Sequence, residues 1–174
     1  STTGAKVTSI RLKEHKSENQ FVEMIYSGDS GRSAFNMAFG DIESERMDTI
    51  FHFKKPDDNT YVFYRDFRAP SENGEPGDIF RLTKTYIFKP GEYLFQLKIT
   101  IENSVNEIPN LNFEGNTYSL YVGPQVGPRF ENLDPRRREY RKFFYYAEGN
   151  RNNVKISRDG LAQVNERFLW AGVA

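Results

Sequence analysis

The chain has 174 residues, contains no cysteine, and carries 24 basic and 24 acidic side chains. The absence of cysteine excludes a thiolate nucleophile, a disulfide framework and any zinc or iron–sulfur site built on cysteine. The balanced charge argues against a nucleic-acid binder that relies on a basic excess. Because the length suits one domain, we predict a single domain over residues 1–174.

Aromatic residues make up 15% of the chain, and they suit half-buried strands better than helices. In the first half of the chain, short apolar stretches bounded by turn residues predict strands over 6–12, 21–26, 33–39, 46–53 and 60–69. Glycines between the second and third stretches predict a hairpin that joins them. In the fourth stretch, a period of two places on one face Met47, Thr49, Phe51 and Phe53.

The clearest pattern lies in residues 82–102. Pro90 and Gly91 suit the two central positions of a type II turn, which predicts a hairpin. After the turn, near-strict alternation predicts a strand with one buried face and one wet face. The predicted buried face consists of Tyr93, Phe95, Leu97, Ile99 and Ile101.

Strand signals continue toward the end of the chain, over 118–122, 141–146, 154–157 and 168–173. The second and third of these flank residues 149–153, a Gly/Asn-rich stretch that predicts a hairpin loop. Asp134 and Pro135 resemble a helix start, but no 3.6-residue apolar stripe follows, which favours a short turn. Many short antiparallel strands with little helix predict an all-β fold, and their number favours a sandwich of two packed sheets.

The sequence offers no convincing catalytic or metal-binding group. His15 lies in a charged run and is predicted in a solvated loop, and His52 is predicted on a wet face or rim. The carboxylates are scattered, and their clusters at 41–48 and 57–58 are interpreted as turns or solvated edges. We therefore predict no catalytic residue, no metal site, no cofactor and no enzymatic activity.

A basic run beside aromatic residues is the most unusual feature of the sequence. Aromatic residues 143–146 follow the candidate contact residues Arg136, Arg137, Arg138, Tyr140 and Arg141. The run is interpreted first as an edge strand that its charge protects from aggregation. A contact with an acidic protein partner or anionic lipid is the second interpretation. Single-stranded nucleic acid is the least favoured, so no nucleic-acid partner is predicted.

Several segments are similar, in the same order, to segments of a known family. They are Tyr-Ser-Leu-Tyr-Val-Gly-Pro-Gln-Val-Gly-Pro at 118–128, Glu-Tyr-Arg-Lys-Phe at 139–143, Val-Lys-Ile at 154–156 and Phe-Leu-Trp-Ala-Gly-Val-Ala at 168–174. The hairpin at 85–95 and the stretch at 3–12 are also similar to segments of that family. Together they resemble the large periplasmic domain of the YidC membrane-protein insertase family, whereas residues 20–80 carry no recognised motif.

The resemblance implies an antiparallel β-supersandwich, similar to mutarotase-like domains, on the periplasmic side of the bacterial inner membrane. In the family this domain lies between a first transmembrane helix and a five-helix insertase core. The implied function is a membrane-tethered interaction domain that assists insertion and folding of inner-membrane proteins. Implied partners are the Sec translocon, including SecD/SecF, and nascent membrane proteins, which contact the transmembrane core. The alternative is a carbohydrate-binding or mutarotase-like sugar-active domain.

The resemblance also implies a role for the apolar residues near position 170. Phe168, Leu169 and Trp170 would form the exit segment that leads to a membrane-surface helix, since tryptophan suits the interfacial zone. The equal alternative is that Trp170 belongs to the core of the last strand. No partner-contact residue is carried over, because that interface maps to the variable part of the family.

Overall fold

The computed structural model describes residues 1–17, 19–25, 33–41, 43–70, 77–103, 111, 115–122, 136, 143–154 and 170–173. Within these ranges the regular structure is β-strand, every strand pairing is antiparallel, and no α-helix is present. The strands are β1 (Arg11–Ser17), β2 (Gln20–Glu23), β3 (Asn36–Phe39), β4 (His52–Asp57), β5 (Thr60–Arg68), β6 (Ile79–Phe88), β7 (Phe95–Asn103), β8 (Tyr118–Tyr121), β9 (Phe143–Ala147), β10 (Asn150–Asn153) and β11 (Trp170–Val173). The predicted all-β, antiparallel fold is confirmed and fits a sandwich. The mutarotase-like assignment stays a prediction.

Four strands form the main sheet, in the order β4–β5–β6–β7. The inner strand β6 alternates between buried and more exposed residues, as a period of two demands when one face meets the core. Its buried residues are Phe80, Leu82, Lys84 and Tyr86. The same core receives from β7 the predicted residues Phe95, Leu97, Ile99 and Ile101. The strand predicted over 60–69 is confirmed as β5.

A second layer packs against the main sheet. β3 pairs with β8, which confirms the strand predicted over 118–122. Phe39, at the end of β3, packs edge-on against Phe67 and Phe80, with ring centroids 5.0 and 5.4 Å apart. Such edge-to-face pairs add to the stabilisation that buried apolar area provides. The described core therefore lies between the main sheet and β3, with Ala5 from the N-terminal segment also buried in it.

The connection between β6 and β7 has the predicted turn. The amide of Glu92 donates to the carbonyl of Lys89 at 3.2 Å, and Gly91 has φ +77°, as a type II turn requires. β7 begins at Phe95, so Tyr93 lies before the strand and is 60% exposed. The predicted place of Tyr93 on the buried face is therefore wrong, because the connection is longer than the four turn residues.

The first strand differs in its bounds from the prediction. Strand β1 starts at Arg11, whereas the prediction covered residues 6–12. Val7 forms only an isolated bridge, in which its amide and carbonyl both bond to Ala34 at 2.9 Å. The backbone near Val7 therefore pairs with the segment before β3 rather than extending β1.

The predicted hairpin between 21–26 and 33–39 is wrong. β2 pairs with β1, and β3 pairs with β8. Ser17 pairs with Gln20 across a two-residue connection in which Asn19 has φ +63°. Asparagine tolerates this left-handed conformation, so the tight turn forms between β1 and β2.

The strand predicted over 46–53 begins later, as β4. Of the four residues predicted on one face, Met47 and Phe51 are buried but Thr49 and Phe53 are exposed. Residues of β4 are exposed along its whole length. An exposed strand lacks the apolar alternation that marks a half-buried one, so the pattern did not indicate its bounds.

The chain divides into two compact units, Ser1–Gly127 and Pro128–Ala174, and the single domain over 1–174 stays a prediction. The second unit holds a sheet in the order β10–β9–β11. Glu148 and Gly149, with φ values of +50° and +80°, join β9 to β10 in the manner of a type I′ turn. The hairpin predicted here is confirmed, but its loop is shorter than the predicted 149–153, because β10 starts directly after the turn. Residues 155–157 lie outside the described ranges.

Candidate functional site

A groove of about 390 Å³ opens between residues 6–9 and the main sheet. Its aromatic floor comes from neighbouring strands β5 and β6 and consists of Tyr61, Phe63, Tyr86 and Phe88. Edge-on contacts join the rings, with centroids 5.8 Å apart for Tyr61 and Phe88 and 6.0 Å apart for Phe63 and Tyr86. The rings share one face because each strand contributes residues two positions apart. We call this site the aromatic groove.

The charged groups at the rim of the aromatic groove are already paired. Lys6 contacts Asp48 at 3.0 Å, and Asp58 contacts Lys55 at 2.9 Å. The groove is suited to bind a flat apolar surface, such as an aromatic side chain or the face of a sugar ring.

Two side chains of β6 bind the backbone of the opposite layer, and we call them the β6 brace. The Lys84 Nζ atom donates to the carbonyl oxygen of Gly4 at 3.4 Å and also to that of Phe35. The Tyr86 hydroxyl donates to the carbonyl oxygen of Ala5 at 2.8 Å. Gly4, Ala5 and Phe35 all have left-handed φ values, which interrupt regular strand pairing. The brace therefore supplies side-chain donors where regular strand pairing is interrupted.

Burial changes the acid–base behaviour of the β6 brace. Lys84 is fully buried, and desolvation lowers its pKa to about 7 from an ordinary value of 10.5. The same effect raises the pKa of Tyr86. The uncharged amine of Lys84 that forms as the pH rises above its pKa still donates hydrogen bonds. Lys84 was not predicted from the sequence, although one signal exists: it stands between Leu82 and Tyr86 on a core-facing row.

Removing the hydroxyl of Tyr86 tests the brace. Tyr86→Phe is expected to lower the free energy of unfolding by about 1–3 kcal/mol, because the Ala5 carbonyl loses its donor inside the core. Urea unfolding followed by circular dichroism measures the loss. The control is Tyr93→Phe, whose hydroxyl donates to Glu14 at the surface, where water replaces it. The control is expected to change stability by less than about 0.5 kcal/mol. Equal losses would contradict the brace.

The described residues include one member of the predicted basic contact set. Arg136 is exposed. The remaining members, Arg137, Arg138, Tyr140 and Arg141, lie outside the described residues. Both the edge-strand interpretation and the contact role therefore stay predictions.

The predicted exit segment is described only at its last residue. Phe168 and Leu169 lie outside the described residues. The backbone of Trp170 begins β11 and pairs with Tyr146 of β9. The exit-segment role and the alternative core role of Trp170 both stay predictions.

The two histidines lie on different strands and are both exposed. His15 is on β1, with its ring centroid 5.7 Å from that of Tyr93, so its predicted loop position is wrong. His52 is on β4 and stacks against Tyr64 at 5.2 Å, and its predicted exposure is confirmed. Within the part of the chain that the structure describes, no three His, Asp or Glu side chains are grouped to hold a metal ion.

Two of the carboxylates predicted in turns do stabilise turns. Asp41 accepts hydrogen bonds at 3.0 Å from the amides of Glu43 and Ser44. Asp57 accepts one from the amide of Asn59 at 2.8 Å, and this bond holds the pKa of Asp57 below its usual range. The turn interpretation of the two acidic clusters is confirmed at these positions.

In the described ranges, no helix has the length and apolar character needed to pass through a bilayer. The chain is similar over nearly its whole length to two curated proteins. Membrane protein insertase YidC of Treponema denticola is 30% identical over 178 residues, which cover 98% of this chain and 30% of that protein. Membrane protein insertase YidC of Treponema pallidum is 24% identical over 205 residues, covering 98% of this chain and 32% of that protein. The chain thus spans just under a third of these relatives. No family model and no solved structure matches it.

Proposed function

Because this chain belongs to the YidC family of membrane protein insertases, we propose that it is the large periplasmic domain of such an insertase. In this role it docks partners and assists the insertion and folding of inner-membrane proteins, and it catalyses no reaction itself. The match over 98% of this chain but 30% of a relative supports the proposal. The rest of the protein would contain the membrane-spanning core and would tether this domain.

The described surface is consistent with docking. The aromatic groove offers an apolar floor, and the charged groups Lys6 and Asp58 at its rim are already paired. The proposed partners are the Sec translocon, including SecD/SecF, while nascent membrane proteins would contact the transmembrane core. Burial of Lys84 and Tyr86 in the β6 brace supports a rigid body suited to positioning a partner.

The proposal is tested in cells depleted of their own insertase. They receive the full-length protein, the same protein with residues 1–174 replaced by a flexible linker, or the 174-residue chain exported alone. The full-length protein is expected to restore insertion, and the linker version to restore it at lower yield. The exported chain is expected to restore none, because the insertion core lies elsewhere. Insertion supported by the exported chain alone would contradict the docking role.

The same cells test the periplasmic placement. Since this chain has no cysteine, one cysteine can be introduced into a full-length protein without other cysteines. Leu94→Cys, at a position that is 78% exposed, is expected to react with a membrane-impermeant maleimide from the periplasmic side. Ala38→Cys, at a fully buried position, is the control and is expected to react only after unfolding. Protection of Leu94→Cys in intact spheroplasts would contradict the placement.

A further inference from the structure

The geometry points to a symmetric dimer in which the β7 strands of two copies pair antiparallel and join their main sheets edge to edge. Such a dimer would involve the main sheet alone. β7 is the last strand of this sheet among the described residues.

The two edges of the main sheet differ in their protection against pairing. The β4 edge carries Lys54, Lys55 and Pro56, and its pairing with β5 is irregular between Lys54 and Asp57. Lysine, proline and irregular pairing are the usual devices that prevent an edge strand from binding another strand. β7 has nine residues in unbroken register with β6 and no proline. β7 therefore carries one lysine, Lys98, but lacks the proline and the irregular pairing found on β4.

The backbone hydrogen bonds of β6 indicate which backbone groups of β7 face away from β6. Phe88 donates to Asn59, and Ala69 donates to Asp78, so the even-numbered residues of β6 bond to β5. Successive residues of an antiparallel strand bond to opposite sides, so the odd-numbered residues of β6 bond to β7. The register gives them even-numbered partners on β7. The amide and carbonyl groups of β7 that face away from β6 therefore belong to odd-numbered residues, among them Leu97, Ile99 and Ile101.

The charges of β7 are complementary to those of a second β7. Lys98 and Glu102 are both exposed and lie four positions apart. When a two-fold axis passes beside Thr100, Lys98 lies opposite the partner's Glu102, and Glu102 lies opposite the partner's Lys98. Sliding the register by two residues in either direction removes both pairs. Charge complementarity therefore favours a second copy of this chain in one particular register.

The same register suits the backbone and the apolar face. Ile99 lies opposite the partner's Ile101, and both carry outward-facing backbone groups, so these positions exchange hydrogen bonds. Lys98 and Glu102 then occupy the alternate pairs, in which side chains approach most closely. Ile99 and Ile101 are only partly buried in one copy, so the partner covers apolar surface that remains. Backbone hydrogen bonds, charge pairs and apolar contacts thus all favour the same register of the two β7 strands.

Charge reversal provides a sharp test by sedimentation of the 174-residue chain over a range of concentrations. The natural sequence is expected to form a reversible dimer. Lys98→Glu places like charges opposite each other twice, and so does Glu102→Lys, so each variant is expected to dimerise at least about tenfold more weakly. The double variant restores both pairs with exchanged signs and is expected to dimerise like the natural sequence. A mixture of the two single variants is expected to form the mixed dimer.

The matched control is Lys54→Glu on the protected β4 edge, and it is expected to leave dimerisation unchanged. Circular dichroism melts verify that every variant is folded, which the exposed positions of Lys98 and Glu102 favour. A chain that stays monomeric up to about 1 mM, where even weak interfaces associate, would overturn the inference. A dimer that neither charge reversal weakens would overturn it equally, since another surface would then hold the two copies together.

Discussion

Replacing Phe80 with alanine is expected to lower the free energy of unfolding by about 3–5 kcal/mol. Phe80 is fully buried, and its ring lies 5.4 Å from that of Phe39 and 5.9 Å from that of Phe67. The substitution removes these contacts and leaves a cavity between the main sheet and β3. Because domains of this size are stable by only about 5–15 kcal/mol, the loss is a large fraction of the total. Urea unfolding followed by circular dichroism measures it.

The neighbouring residue on β6 provides the control for this substitution. Ile79 points to the other face of the strand and is 50% exposed. Ile79→Ala is expected to cost less than about 1 kcal/mol, because water already contacts much of the side chain. A loss for Phe80→Ala as small as that for Ile79→Ala would show that the two layers do not depend on the aromatic contacts around Phe80.

Stability is expected to rise by about 3–4 kcal/mol between pH 7 and pH 10 through Lys84. The pKa of Lys84 is about 7 in the folded chain and near 10.5 when unfolding exposes the side chain to water. Between these values the unfolded chain binds more protons, so raising the pH favours the folded chain. Below pH 7 Lys84 is protonated in both the folded and the unfolded chain, so the folded chain bears the full free-energy cost of burying the charge. Above pH 10.5 both states are neutral and that cost is gone.

Tyr86 limits this rise at its upper end. Burial raises its pKa, so above about pH 10 the phenol ionises in the unfolded chain before it ionises in the folded chain. This difference favours unfolding as the pH increases further, which is opposite in sign to the effect of Lys84. The combined contribution of Lys84 and Tyr86 to stability is therefore expected to be largest near pH 10. Urea unfolding at intervals from pH 6.5 to pH 10.5 measures the profile.

A pair of substitutions assigns the pH dependence to Lys84. Lys84→Met is expected to abolish the rise between pH 7 and pH 10, because the titrating group is gone. At pH 9.5 this variant is also expected to be less stable than the natural chain, since Gly4 and Phe35 lose a donor. Lys54→Met, on the exposed strand β4, is the control and is expected to keep the rise. A profile that is unchanged in Lys84→Met would contradict the assignment.

The hairpin of β6 and β7 is the part of the fold that the sequence predicts best. Its signals are local, since Pro90 and Gly91 indicate the turn and the alternation from Phe95 onward indicates the buried face. The pairing of β3 with β8 has no such local signal, because about 80 residues separate the two strands. Glycines before β3 suggested that it pairs with β2. The turn at Asn19 instead pairs β2 with β1.

The candidate site was harder to predict than the fold. The β6 brace depends on carbonyl groups of Gly4, Ala5 and Phe35, which reach Lys84 and Tyr86 only after the chain has folded. The apolar pattern of a strand predicts that a lysine is exposed to solvent, whereas Lys84 is buried in the core. The floor of the aromatic groove follows from period-two alternation, but its wall at residues 6–9 follows from tertiary packing.

The β6 brace also affects the order in which the chain can fold during synthesis. Tyr86 and Lys84 stand some 80 positions after the carbonyl groups of Ala5 and Gly4 that they contact. Because a ribosome delivers residues in sequence, those carbonyl groups must remain hydrated until the whole of β6 has emerged. Nascent chains arrested upstream of Lys84 would therefore lack the side-chain donors that bind the carbonyl groups of Gly4 and Ala5. The contacts of the β6 brace are thus among the later contacts of the main sheet to form.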